Sequence, residues 1–143
     1  MIDFVNYVRN FSWVDKDRIY LVGASMGGYA VWQLALTKPY WFAAIVPICG
    51  GGMYWNAAKL KHTRIWAFHG VEDTIVYCEE TKRMVEKINQ AGGDAKITLF
   101  ENVGHDSWMK VYGDQKVFDW LLEQKLTLYS EEKSNYDNEK QYG

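Results

Sequence analysis

The chain has 143 residues, 48% of them apolar, with 16 basic and 18 acidic side chains and a formal net charge of -2. That length fits one domain with a core of its own, and the balanced charge leaves no basic stripe of the kind that holds nucleic acid. No apolar run approaches the ~20 residues of a membrane helix, and Met1-Ile2-Asp3-Phe4 lacks the charged-then-apolar start of a secretory leader.

In chain order, apolar stretches of strand type alternate with stretches of helical period. Residues 2–11 place Phe4, Val5, Val8 and Phe11 on one helical face. Asp15-Lys16-Asp17 is a polar turn. Arg18 to Val22 reads as a strand, and its unbroken run from Ile19 predicts burial on both faces, as in a central parallel strand. A helix over 27–37 closes at Pro39, and Ala43 to Ile48 is a second strand running into Cys49-Gly50-Gly51-Gly52. A short helical stretch is expected over 53–60 and a third strand over Arg64 to Phe68.

The helix over 79–91 turns Met84, Val85, Ile88 and Ala91 inward and stops at Gly92-Gly93. Ala95 to Phe100 is the fourth strand. One last helix is expected over 108–125, with Val117, Phe118, Leu121 and Leu122 inward. From 129 to 143 the composition turns polar, predicting a disordered tail after a domain over 1–128. The alternation predicts an α/β fold: a parallel sheet of about four strands flanked by helices. Cys49 and Cys78 show no metal-ligand spacing and are read as free or buried thiols, a disulfide between them staying open along with the compartment.

Chemistry concentrates after the strands. Gly23-Ala24-Ser25-Met26-Gly27 fits G-x-S-x-G, following a strand and opening a helix. That turn lifts a serine hydroxyl above a sheet edge and aims helix N-terminal N–H groups at it. Small residues at 23 and 27 would permit the turn, Gly28 would let the helix pack closely, and the Met26 N–H would be one oxyanion donor. The alternative is a glycine-rich turn carrying a surface serine.

His69-Gly70-Val71-Glu72-Asp73 follows the third strand and Gly104-His105-Asp106 the fourth. Loops after parallel strands converge on one edge, so His105 becomes the candidate base for Ser25. Glu72 and Asp73 both offer an orienting carboxylate, and the His-Gly-x-x-Asp spacing usual in such folds favours Asp73. His62 reads as surface and His69 as loop support. Asp106 adjoins His105 too closely to reach its ring. The order Ser, Asp, His is that of α/β-hydrolases.

Asp17-Arg18-Ile19-Tyr20-Leu21, the stretch from Gly23 to Tyr29, Val46-Pro47-Ile48-Cys49-Gly50-Gly51-Gly52 and Gly104-His105-Asp106-Ser107-Trp108 together resemble one group. It comprises esterases and predicted peptidases related to polyhydroxybutyrate depolymerases, feruloyl esterases and prolyl oligopeptidases, and the resemblance runs over roughly residues 1–126. It implies hydrolysis of carboxylic esters through an acyl-serine, with no metal or organic cofactor and a small-molecule ester as partner. Ser25, Asp73 and His105 would be its triad, with Gly50, Gly51 and Trp108 bordering the substrate. Peptidase action of prolyl-oligopeptidase type is the neighbouring alternative.

Members of that group carry further strands ahead of the serine turn. The chain is therefore expected to be the C-terminal part of the fold, with weak activity or an inactive fragment as the consequence. Its exposed edge strand is expected to favour self-association.

Overall fold

A computed structural model describes residues 1–127. The expected tail over 129–143 lies outside the described residues. The elements run α1 (Ile2–Arg9), β1 (Tyr20–Ala24), α2 (Met26–Thr37), β2 (Ala44–Ile48), a 3-10 helix (Tyr54–Leu60), β3 (Arg64–Gly70), α3 (Glu79–Gln90), β4 (Lys96–Phe100), α4 (Trp108–Tyr112) and α5 (Gln115–Glu123). All pairings are parallel, in the order β1-β2-β3-β4. This is the expected α/β architecture of four parallel strands between helices.

Side chains alternate across the pleat. Ile45 in β2 with Ile65 and Ala67 in β3 meet α2, α3 and the 3-10 helix, while Ala44, Val46, Ile48 and Phe68 meet Val111, Val117 and Leu121 on the opposite face. Each Ile or Val taken fully out of water there contributes roughly 1.5–3 kcal/mol of transfer free energy. No helix among the described residues is long and apolar enough to cross a membrane.

Several expectations are corrected. β1 is an edge strand of the described sheet, and Val22 is 37% exposed rather than covered on both faces. The strand also begins at Tyr20, because the Arg18 N–H closes a turn onto the Asp15 carbonyl. α1 packs through Ile2 and Val5, leaving Phe4 exposed. The helix ends at Arg9, whose guanidinium donates to the Trp41 carbonyl and stacks over the Trp41 ring.

The single helix expected over 108–125 is two. Gly113 separates them, and Asp114, extended and accepting from the Lys116 N–H, starts α5 afresh. Leu122 consequently lies in solvent while Val117 and Leu121 are buried. Cys49 and Cys78 are free and buried.

Candidate active site

With every strand parallel, the C-terminal ends of β1, β3 and β4 open on one edge of the sheet, and the three candidate groups stand on the turns that leave them. Ser25 links β1 directly to α2 with φ 55° and ψ -116°, a conformation that costs a non-glycine residue about 1–3 kcal/mol. The neighbouring structure holds it there. Its N–H donates to the Ile48 carbonyl at 2.9 Å, and its carbonyl accepts from the Tyr29 N–H at 3.1 Å.

Two glycines make the turn possible. A Cβ on Gly23 would sit 2.5 Å from the Gly27 carbonyl oxygen, and one on Gly28 would sit 2.5 Å from that of Ile48. Gly27 itself has open space where a Cβ would go, so its expected steric role is not required in this chain. Met26 opens α2, so its N–H is among the first four, which have no intrahelical acceptor.

Gly70 ends β3 where a Cβ would strike the Val103 and Gly104 carbonyls. The parallel pairing then continues past the strands, with Val71 N–H to Phe100 O and Glu72 N–H to Val103 O. This stitches the loop after β3 to the loop after β4. Asp73 is turned inward and buried, while Glu72 is exposed. Asp73 Oδ1 accepts from the N–H groups of Ile75 and Val76, both at 2.9 Å, and Oδ2 accepts from His105 Nδ1 at 2.8 Å.

Burial by itself would raise the Asp73 carboxyl. The His105 hydrogen bond and the Val76 and Ile75 N–H groups outweigh it, and the group lies below the usual aspartate range.

A carboxylate only accepts, so His105 Nδ1 carries the proton and Nε2 presents a lone pair. Ser25 Oγ lies 2.8 Å from that Nε2. The three residues therefore form one hydrogen-bonded chain from hydroxyl to imidazole to carboxylate. The Trp108 ring stands perpendicular to the imidazole, centroids 5.4 Å apart. Asp106 and His62 are exposed.

His69 is fully buried. Its Nδ1 meets Thr81 Oγ1 at 2.8 Å, and its Nε2 meets the Val76 carbonyl at 2.7 Å and Asp73 Oδ2 at 3.2 Å. Thr81 in turn donates to the Gly50 carbonyl. The loop-supporting role expected of His69 is thus visible as hydrogen bonds that tie the Asp73 loop to α3 and to the segment after β2. Gly50 and Gly51, expected to border a substrate, are buried. A Cβ on Gly50 would strike the Gly28–Tyr29 backbone, and one on Gly51 would meet Glu80, so their small size serves chain packing.

One residue of this centre escaped the sequence. Cys49 is buried at the end of β2 with φ 40°, its N–H bound to the Phe68 carbonyl. Its sulfur and one ligand atom each of Asp73 and His105 lie within 4.8 Å of one another. Burial, helped by the Asp73 charge, raises the thiol above its ordinary range; hydrogen bonds from the Ser25 backbone and the Ser107 hydroxyl offset only part of this. Spacings of 24 and 32 residues along the chain give no motif, and only the sheet brings these three together.

The model of the dienelactone hydrolase family matches residues 1–114. No curated protein matches the chain. Among solved structures, a thermostable esterase is 34% identical with a TM-score of 0.83, over 87% of this chain and 35% of that one. The chain thus spans about a third of that esterase. Pyrococcus horikoshii acylaminoacyl peptidase (19% identity, TM-score 0.70, 90% of this chain and 27% of that one) is similar in fold. So is Arabidopsis thaliana SOBER1 (16%, 0.64, 85% and 64%).

Proposed function

This chain belongs to the dienelactone hydrolase family of α/β-hydrolases, and from that premise we propose that it is a serine hydrolase cleaving carboxylic esters through an acyl-serine intermediate. The observation that carries the reading is the pair of 2.8 Å contacts joining Ser25 Oγ, the His105 ring and Asp73. Ser25 Oγ attacks the ester carbonyl carbon while its proton passes to His105 Nε2. The buried Asp73 carboxylate stabilises the imidazolium.

The Met26 N–H, at the positive end of α2, donates to the oxyanion of the tetrahedral intermediate. His105 then protonates the departing alkoxide, leaving acyl-Ser25. Water repeats the sequence, giving up its proton to Nε2, and returns free Ser25 and the acid. Every proton moves between Ser25, His105, substrate and water, so the route calls on no metal or organic cofactor. Trp108, packed beside His105, would border the group bonded to the carbonyl.

A fluorophosphonate probe tests the nucleophile. The expected adduct is on Ser25, absent from Ser25→Ala, whose ester turnover falls by about 10⁴ to 10⁶. A folded chain that never labels at Ser25 would reject the reading. A panel of acyl esters and short peptides decides between ester and peptide bonds. The esterase likeness at 34% identity supports esters, and turnover of peptides alone would make the chain a peptidase instead.

A further inference from the structure

The route above gives Cys49 no task, yet the fold holds it in a demanding position. It has a positive φ, it is buried, and its sulfur lies within 4.8 Å of ligand atoms of Asp73 and His105. We propose that Cys49, Asp73 and His105 form a three-ligand site for a thiophilic divalent cation such as Zn²⁺, and that occupancy switches the centre off. The switching rests on the serine hydrolase reading; the binding does not.

The donor set fits. Thiolate, imidazole and carboxylate are together the ligands of borderline-soft divalent cations. Three atoms within 4.8 Å of one another enclose a point no more than about 2.8 Å from each. Bonds of about 2.0–2.3 Å then need each ligand to move by roughly half an ångström or slightly more. The His105 side chain is 22% exposed, so the cluster reaches solvent through His105. A fourth position falls to water.

A second observation concerns the surroundings of the sulfur. The Ser107 hydroxyl is fully buried, has no nitrogen or oxygen partner among the described residues, and faces only the Cys49 thiol. A thiol is a weak acceptor and leaves a buried O–H close to unsatisfied, which is costly. A metal-bound thiolate accepts strongly, so the cation would turn this weak contact into a strong hydrogen bond and Ser107 would support the sulfur.

Binding releases the thiol proton to solvent and forms bonds from sulfur, nitrogen and oxygen to the cation; nothing is oxidised or reduced. Either ring nitrogen gives the same outcome. A cation on His105 Nε2 occupies the lone pair that takes the Ser25 proton. One on Nδ1 displaces the proton that Asp73 accepts and drives the other tautomer, which again leaves Nε2 unable to accept.

The test uses the whole chain. Co²⁺ added to the wild-type protein is expected to give a sulfur-to-metal charge-transfer absorption. In competition with a chromogenic chelator, Zn²⁺ should bind wild type and Ser25→Ala equally. Cys49→Ala should bind at least about tenfold more weakly. Zn²⁺ should slow fluorophosphonate labelling of wild-type Ser25, with recovery on adding a chelator, and the ratio of rates with and without Zn²⁺ should approach one in Cys49→Ala.

Cobalt binding without the sulfur band, or equal Zn²⁺ affinity in wild type and Cys49→Ala, overturns the site. The cobalt spectrum decides even if Cys49→Ala fails to fold. Absence of labelling in every form counts against the serine nucleophile and leaves the cation site to that spectrum.

Discussion

Asp73 has no solvent to share its charge with, so the loop supplies what water would: two backbone N–H groups on Oδ1, and His105 with His69 on Oδ2. Asn fits the same space but turns an NH₂ toward a ring nitrogen that must donate. Asp73→Asn should therefore keep the fold and lower ester turnover by about 10⁴, through the wrong His105 tautomer. The substitution should also alter the acid stability profile. The folded carboxyl lies below its ordinary value of about 3.9. Its contribution to stability is thus full above that value and is lost as pH falls through the depressed folded one. Thermal unfolding followed downward from about pH 5 should show a shallower decline in Asp73→Asn than in wild type; parallel curves would mean the carboxylate is not held as described. At this scale Ser25 and His105 were legible because each sits in a short motif after a strand. Asp73 against Glu72 was not settled by the residues alone. The direction a loop carboxylate faces depends on Gly70 and on pairing to Val103, residues distant in the chain. Cys49 was silent, since nothing in its residue type announces a positive φ.

At the level of the β1–α2 turn, three glycines with the same appearance in sequence have different duties. Gly27 has empty space at its Cβ position, in the first turn of a helix. Gly27→Ala should therefore be tolerated and should stabilise the fold by about 0.5–1 kcal/mol. Gly23→Ala and Gly28→Ala each drive a methyl into backbone, and should cost about 1–3 kcal/mol and slow labelling of Ser25 by displacing the turn. Chemical denaturation of the three variants checks this, and equal stabilities would remove the steric account. The break between α4 and α5 gives a parallel case. Asp114→Ala removes the acceptor of the Lys116 N–H and should cost about 1 kcal/mol. Element types and order could be read from periodicity, because strand and helix repeats differ so clearly. The α4–α5 break was missed although Gly113-Asp114 was in view, since the apolar period continues across it and only the cap geometry interrupts the helix. The outward faces of Phe4 and Leu122 were missed for a related reason: periodicity marks an apolar stripe but not where its edge meets solvent.

Across the whole molecule, helices pack on both faces of the sheet, and β1 and β4 are its two edges among the described residues. The residues of β1 are those of a central strand, with Tyr20, Leu21 and Val22 in succession, yet β2 is its one neighbour among the described residues. Val22 is partly exposed, and Phe4, Tyr7 and Trp13 add apolar surface elsewhere on the chain. A row of unpaired N–H and C=O groups beside apolar side chains is a template for another strand. The 143-residue chain is therefore expected to associate as its concentration rises, with β1 edges pairing. Light scattering on the eluting protein measures this directly. Val22→Lys places a charge on that edge where the side chain already reaches solvent, so it should shift the population toward monomer without disturbing the buried face of β1. Ser25 follows β1 by a single step beyond Ala24, so pairing that stiffens the strand also bears on the turn that holds the hydroxyl. If association drives the edge into a sheet, fluorophosphonate labelling of Ser25 should vary with protein concentration in wild type and not in Val22→Lys. A wild-type chain that stays monomeric at every concentration would show that the open edge is protected by something other than a second copy.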